Sequence, residues 1–162
     1  MTKRRMNLNG DKVRKWAAQI LIALEGLHAN GVICRDLNPN NVLLADNGLI
    51  KLTYFYRYPN IDPPLNIQAK EKLYVAPKVD GTNCNVSFAF NWWSLGAILY
   101  ELTMLQTLHS NHLAGINSHT VLYVPERICV EIRPLLVELL RYNPNERLGF
   151  GISRANDVKA QT

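Results

Sequence analysis

A polar loop between apolar runs constrains the fold of this chain more than any other segment. The loop, residues 34–41, lies between Gly31-Val32-Ile33 and Val42-Leu43-Leu44. An Asn-Gly pair, Asn47-Gly48, then separates the second apolar run from a third that ends at Thr53. Because this pair favours tight turns between strands, the sequence predicts a hairpin after the loop and a short buried strand before it.

Three segments show the apolar spacing of helices. The first begins near Asn9 and ends at Gly31, with apolar residues every three or four positions. The second, about Trp92 to Leu105, is apolar nearly all round, which is typical of a helix buried on every side. The third, about Arg133 to Tyr142, is amphipathic, and Pro134 fits only in its first turn. The sequence therefore predicts a mainly helical fold.

Composition limits the remaining choices. At 162 residues and 48% hydrophobic content, the chain is expected to form one domain or part of one. Residues 57–90 and 106–127 are rich in Pro, Asn and Gly and are predicted to be irregular. Its three cysteines are scattered, which favours a reducing, cytoplasmic compartment without disulfides. No apolar run approaches the roughly 18 residues of a membrane-spanning helix, so no transmembrane segment is predicted.

The formal charge of +5 is concentrated near the start of the chain. Basic residues crowd positions 3–15, which raises the alternative of an adaptor for acidic partners. A solvated helix face is the favoured interpretation, and nucleic-acid binding is not expected, because no aromatic stacking pattern accompanies the charge. His109, His112 and His119 lack cysteine or carboxylate partners in register, so no metal site is predicted.

Five motifs in order carry a resemblance to protein kinases, one of them Tyr54-Phe55-Tyr56 at the position where kinases carry Asp-Phe-Gly. Cys34 to Asn41 resembles the catalytic loop His-Arg-Asp-Leu-x-x-x-Asn, and Tyr74 to Lys78 resembles the Ala-Pro-Glu end of the activation segment. Asn91 to Gly96 resembles the start of the central helix of the large lobe. Asn143 to Gly149 resembles a late motif of the AGC group. Over residues 8–160 the chain thus resembles an AGC-like kinase large lobe.

In detail the chain is similar to the ribosomal-protein S-six kinase delta and kinase-like subfamily. That closer resemblance is carried by Cys34 to Leu44, Thr53 to Phe55 and Ala114 to Asn117. It implies a mainly α fold, a C-terminal lobe with a short β-hairpin and without the small lobe, because no Gly-rich phosphate loop is present. We expect a basic tail at 1–8 and a partial kinase-like domain at 9–162. A longer parent with trafficking modules, and hence endosomal association, is also implied.

The resemblance assigns chemistry to four positions, and two of them depart from the family. Asp36 takes the place of the catalytic base and Asn41 that of a metal ligand. Asn38 replaces the loop lysine, and Tyr54 replaces the aspartate that binds the metal. A protonated phenol is a poor ligand for Mg²⁺, and Asn38 brings no positive charge to a phosphate. We therefore expect no cofactor, and we expect Asp36 only to hydrogen-bond the loop.

Four further positions are structural in the family. Lys78 stands where a glutamate pairs with Arg147, so an attractive pair becomes two like charges, one of which is expected to turn to solvent. Asn91 replaces an aspartate that binds catalytic-loop backbone, and its amide is expected to cap the helix. In the family, the residue at the position of Arg35 binds a phosphate on the activation loop. This loop contains no Ser or Thr that could carry the phosphate, so loop backbone or Glu71 is the expected partner of Arg35.

The leading hypothesis is a catalytically inactive kinase-like fragment that acts as a binding or scaffold module. A protein partner, or a second copy of the chain, is expected over a face formed by Tyr54-Phe55-Tyr56. The alternative is a serine/threonine kinase fragment that binds Mg-ATP in a longer product, and Asp36 and Asn41 keep that alternative open. A weaker alternative is the basic adaptor acting through residues 3–15.

Overall fold

The computed structural model of the protein describes residues 10–53, 66–77, 88–126, 128, 131–150 and 155–160. In these ranges the helices and strands are, in order, α1 (Gly10–Ala29), β1 (Val42–Leu44), β2 (Ile50–Leu52), α2 (Ile67–Glu71), α3 (Ala89–Met104), α4 (Leu108–Asn111), α5 (Ile132–Leu139) and α6 (Ala155–Lys159). Single 3₁₀ turns occur at Pro39–Asn41 and Pro144–Glu146. The mainly helical fold with one β-hairpin is as predicted.

Helix α3 forms the centre of the core. Trp92, Trp93 and Tyr100 on this helix are fully buried, and α1 and α5 pack against it. Gly96 lets α5 approach closely, since a Cβ there would lie 2.9 Å from Leu139 Cβ. The prediction of a helix that is apolar on every side is therefore confirmed, and its burial explains the missing polar face.

The hairpin is fixed to α1. Strands β1 and β2 pair antiparallel with Val42 opposite Leu52, and Gly48 adopts a left-handed φ of 76° in the connecting turn. The backbone N–H of Ile50 donates to Gln19 Oε1 of α1 at 2.7 Å. The Asn-Gly hairpin is confirmed, and this hydrogen bond holds it against the first helix.

The predicted strand at residues 31–33 does not form. Gly31 has a φ of 70°, and the following Val32 N–H donates to Leu27 O at 2.9 Å. This stretch therefore ends α1 instead of pairing with a strand. The third helix also ends earlier than predicted, at Leu139, and Pro134 lies in its first turn as expected.

The two regions predicted to be irregular contain short helices. The side chain of Asn66 accepts hydrogen bonds from the Gln68 and Ala69 N–H groups at the start of α2. Thr107 likewise accepts from the Ser110 N–H at the start of α4. These caps satisfy the free N–H groups of helices too short to show apolar periodicity. Among the described residues, no helix has both the length and the apolar character required to cross a bilayer.

Candidate functional site

The start of the polar loop is held by Asn91 of α3. Asn91 Oδ1 accepts from the Cys34 N–H at 3.0 Å, and its Nδ2 donates to Cys34 O. His28 Nε2 also lies 2.9 Å from Asn91 Oδ1. The amide thus supplies an acceptor to the N–H and a donor to the C=O of one buried residue, Cys34. Asn91 lies in the first turn of α3 and is not its cap, because Phe88 occupies the N-cap position.

Asp36 is surrounded by side-chain amides. Asn38 Nδ2 donates to Asp36 Oδ1 at 2.7 Å, and Asn41 Nδ2 donates to Asp36 Oδ2 at 2.9 Å. The same two amides also donate to Asp36 O, at 3.1 and 2.7 Å. Both carboxylate oxygens therefore accept hydrogen bonds within the loop, and Asp36 closes the loop on itself.

Asn38, where the family has a lysine, acts through both ends of its amide. Its side chain is buried, with 2% of the residue exposed. Oδ1 accepts from the Asn40 N–H at 3.0 Å and caps the 3₁₀ turn that Pro39 begins. Nδ2 meanwhile holds Asp36. A lysine has only donors, so it could not provide this cap.

Asn41 links the loop to the hairpin. Its backbone oxygen accepts from Thr53 N at 2.9 Å and from Thr53 Oγ1 at 3.1 Å. Because Nδ2 is bound to Asp36, the side-chain Oδ1 is the atom that Asn41 can offer to a cation.

Asp36 and Asn41 are the loop residues whose side-chain oxygens could contact a metal ion such as Mg²⁺. This ion requires near-octahedral oxygen coordination, usually with carboxylates. The described residues contain no group of three or more His, Cys, Asp or Glu side chains that could hold a metal. Asp36 presents carboxylate oxygens that already accept from two amides, and Asn41 offers one neutral oxygen.

Cys34 replaces the histidine of the family motif, and it is buried beside the loop. The pKa of its thiol is raised to about 11, mainly by burial; a hydrogen bond to the Asp36 backbone lowers that pKa, and the Asp36 carboxylate raises it. The side chain is therefore a protonated thiol at neutral pH and lacks the reactivity of a thiolate.

Arg147 is buried, with 3% of the residue exposed. Its guanidinium donates to three backbone oxygens: Arg141 O from Nε at 3.0 Å, Tyr142 O from Nη2 at 3.1 Å, and Ala89 O from Nη1 at 2.8 Å. It also lies over the Trp93 ring, 5.1 Å from the centroid. Carbonyls at the end of α5 and the start of α3 thus compensate the buried cation.

Several predicted site residues lie outside the described residues. These are Tyr54, Lys78 and the rest of the Tyr54-Phe55-Tyr56 face. The like-charge contact of Lys78 with Arg147 accordingly stays a prediction. Arg35 is half-buried in the loop, and its assignment to loop backbone or Glu71 also stays a prediction.

Sequence reasoning missed the contacts that fix the end of the activation segment to α3. Tyr74 Oη donates to Glu101 Oε2, and burial, reinforced by Glu101, raises the Tyr74 pKa far above its usual value. Ser94 Oγ donates to Tyr74 O at 2.8 Å, and Trp93 Nε1 donates to Leu73 O at 2.8 Å. Only the spacing between the two motifs could have indicated these contacts.

Residues of the basic segment and of the three histidines near α4 make local contacts in the described structure. Arg14 forms an ion pair with Glu131, which offsets one charge of the basic segment. His112 Nε2 accepts from the Tyr123 N–H at 3.3 Å and so organises the loop after α4. Lys12 is exposed, as expected for a solvated helix face.

Comparisons with known proteins agree with this geometry. The family model described as Protein kinase domain matches residues 1–159. The chain is 47% identical to human ribosomal protein S6 kinase delta-1 over 148 residues, which are 91% of this chain and 14% of that protein. It is 42% identical to Pongo abelii ribosomal protein S6 kinase-like 1 over 150 residues, which are 93% of this chain and 27% of that protein.

The chain therefore spans only a small part of the length of these relatives. A more distant relative, Caenorhabditis elegans ribosomal protein S6 kinase beta, is 31% identical over 160 residues, covering 90% of this chain and 28% of that protein. The family match and the order of motifs around the polar loop agree along nearly the whole sequence, and the chain belongs to the protein kinase domain family, as a relative of the ribosomal protein S6 kinases.

Proposed function

We propose that this chain is a catalytically inactive kinase-like module that functions by binding other proteins. The observation that carries the proposal is the amide environment of Asp36. Both oxygens of its carboxylate accept hydrogen bonds from Asn38 and Asn41, and a neutral amide stands where the family has a cation. The loop is therefore stabilised without nucleotide or metal.

Phosphoryl transfer depends on positioning and on neutralising charge at the transferring phosphate. In this chain Asn38 supplies no positive charge, and its amide is already bound to Asp36 and to the Asn40 N–H. Tyr54 occupies the sequence position of the metal-binding aspartate. The loss of two charged groups from one reaction centre supports an inactive domain that uses no Mg-ATP.

A thermal-shift titration of the purified chain with ATP, with and without Mg²⁺, tests this proposal. We expect no metal-dependent rise in melting temperature and no transfer of phosphate to generic Ser/Thr substrates. Asn40→Ala is the matched control for Asp36→Ala and Asn41→Ala, because Asn40 is exposed in the same loop. A Mg²⁺-dependent stabilisation that survives in Asn40→Ala and disappears in the other two variants would overturn the proposal.

One observation favours a second candidate function, a serine/threonine kinase fragment within a longer product. Asp36 and Asn41 lie within hydrogen-bond distance on one loop, as a base and a metal ligand would need to. Under this alternative Asp36 accepts the proton of a substrate hydroxyl and Asn41 contributes to Mg-ATP binding. Phosphate transfer by the longer protein, lost on Asp36→Ala, would favour it.

The proposed partner surface includes the Tyr54-Phe55-Tyr56 face, and a second copy of the chain is an alternative occupant. The support for this part is compositional, since three adjacent aromatic residues follow the hairpin directly. We also propose a cytoplasmic location, with endosomal association for a longer parent. The basic adaptor is the weaker candidate, because Arg14 is already paired with Glu131.

A further inference from the structure

The segment at residues 120–124, after α4, has the pattern of a β-strand but belongs to no sheet of the described structure. Its side chains alternate between solvent and core. Val121 is 88% exposed and Tyr123 is 54% exposed, whereas Leu122 and Val124 pack against the hydrophobic core. A period of two residues is that of an extended chain.

The backbone of this segment alternates in the same way. The Tyr123 N–H donates to His112 Nε2 at 3.3 Å, and the Tyr123 C=O accepts from Tyr100 Oη at 2.8 Å. In an extended chain the N–H and C=O of one residue point to one side, and those of its neighbours point to the other. The backbone groups of Leu122 and Val124 therefore point away from His112 and Tyr100. Within the part of the chain that the structure describes, these groups have no hydrogen-bond partner.

This free edge lacks the usual protection against pairing. Proteins normally guard an edge strand with charged side chains or with a proline that removes an N–H from the edge. Residues 113–125 contain no Asp, Glu, Lys or Arg. Pro125 is two residues from Tyr123, so its missing N–H belongs to the side that faces the protein. The edge formed by Leu122 and Val124 is thus complete and open to another extended strand.

The segment is complementary to itself. If two copies meet in antiparallel orientation about a twofold axis at Tyr123, Leu122 of each copy lies opposite Val124 of the other. Each of these pairs exchanges two N–H to C=O hydrogen bonds, which satisfies the backbone groups of both residues. Tyr123 then faces its own counterpart in a non-hydrogen-bonded pair, where cross-strand side chains come closest. The sequence Thr-Val-Leu-Tyr-Val consists largely of the β-branched and aromatic residues that favour such pairing.

We propose that residues 120–124 pair with the same segment of a second copy of the chain, as an antiparallel β-ribbon with Tyr123 on the twofold axis. A ribbon this short buries less than the roughly 1,200 Å² of a stable interface, so the dimer is weak. The ribbon involves neither Asp36 nor the Tyr54-Phe55-Tyr56 face, so the inference does not depend on the function proposed above.

Sedimentation equilibrium of the full chain from micromolar to millimolar concentration tests the proposal. We expect a monomer–dimer equilibrium that strengthens with added salt, because each copy carries a formal charge of +5 and the ribbon itself is uncharged. Tyr123→Lys should weaken dimerisation about tenfold or more, since like charges then lie directly opposite each other. Tyr123→Glu should do the same for the same reason.

An equimolar mixture of the Tyr123→Lys and Tyr123→Glu variants should associate again, because opposite charges then meet at the twofold axis. Both substitutions replace an exposed side chain and leave the backbone contacts of position 123 in place, so both variants should keep the urea midpoint of the parent. Ile22→Lys is the matched control, since Ile22 is 61% exposed on α1, outside the segment. It should dimerise as the parent does.

Disulfide trapping tests the register. In a non-hydrogen-bonded antiparallel pair the two Cα atoms are about 4.5 Å apart, which lies within the range of a disulfide. Oxidised Tyr123→Cys should therefore give a covalent dimer. Val121→Cys is the matched control on the same exposed face, because its counterpart in the second copy lies four residues further along, about 13 Å away. The parent, with its native cysteines, gives the background.

Four results would overturn the inference. The first is a chain that stays monomeric over the whole concentration range. The second is association that Tyr123→Lys weakens but that the mixture of Lys and Glu variants does not restore. The third is equal trapping of Val121→Cys and Tyr123→Cys. The fourth is self-association that Phe55→Ser abolishes and Tyr123→Lys leaves unchanged, which would place the second copy on the Tyr54-Phe55-Tyr56 face.

Discussion

Gly149→Ala should be among the most destabilising single-methyl changes in this chain. Gly149 has a left-handed φ of 85°, and a Cβ built there would lie 2.5 Å from Trp92 Nε1 and 2.6 Å from Trp92 Cδ1. Trp92 is fully buried and cannot move away, because its Nε1 donates to Gly149 O at 3.1 Å. The substitution therefore combines backbone strain with overpacking of the core.

The two costs can be estimated separately. A left-handed conformation costs a non-glycine residue about 1–2 kcal/mol. Inserting a methyl group into a packed core costs about 1–3 kcal/mol. Together they predict a loss of about 2–5 kcal/mol in the free energy of unfolding. Small domains have only about 5–15 kcal/mol in total, so the loss is large.

Gly48→Ala is the control that isolates the clash. Gly48 has a similar φ of 76°, but a Cβ there would meet nothing within 4 Å. It should lose only the conformational part, about 1–2 kcal/mol. Urea denaturation followed by tryptophan fluorescence measures both variants through their midpoints at constant slope. Equal losses at the two glycines would refute the reasoning, because the contact with Trp92 would then cost nothing.

Two further predictions concern charge. Burial lowers the pKa of His112, so its contribution to stability is complete above the ordinary histidine pKa of about 6.5 and is lost as pH falls through the lower folded value. His112→Gln should therefore flatten the fall in the urea midpoint between pH 7.5 and 5, and an unchanged pH profile would contradict this. Lys78→Glu should stabilise the fold by about 1–3 kcal/mol if Lys78 faces the buried Arg147. An equal gain in an Arg147→Ala background, measured by urea denaturation, would show that the two residues do not meet.

The elements that sequence predicted well are those whose signal is local. Asn47-Gly48 selects a tight turn on its own, and the nearly all-round apolar pattern of residues 92–105 is typical of a buried helix. The short helix α2 has no such pattern, since it forms because Asn66 caps it. The strand predicted at 31–33 does not form, although its residues are apolar. They pack directly after the end of α1, and the described sheet offers no neighbouring strand with which they could pair.

In the candidate site, too, the sequence identified the residues but not the contacts between them. Motif order identified Asp36, Asn38 and Asn41, but not that two amides would enclose one carboxylate. That arrangement depends on side-chain geometry and on the turn that begins at Pro39. The apolar cavity between α1, the hairpin and α3 was invisible for a stronger reason, because its lining comes from residues as far apart along the chain as Trp16 and Leu105.

The amide cluster around Asp36 is physically linked to the hairpin. Asn38 caps the turn that leads into β1, and Asn41 binds Thr53 at the end of β2. These contacts fix the chain where it enters β1 and where it leaves β2. The neutral amide at position 38 therefore has a structural part in the loop. It caps the turn that leads into β1 and at the same time donates to Asp36. The inactive domain proposed above and an ordered hairpin are thus compatible with the same residue at position 38.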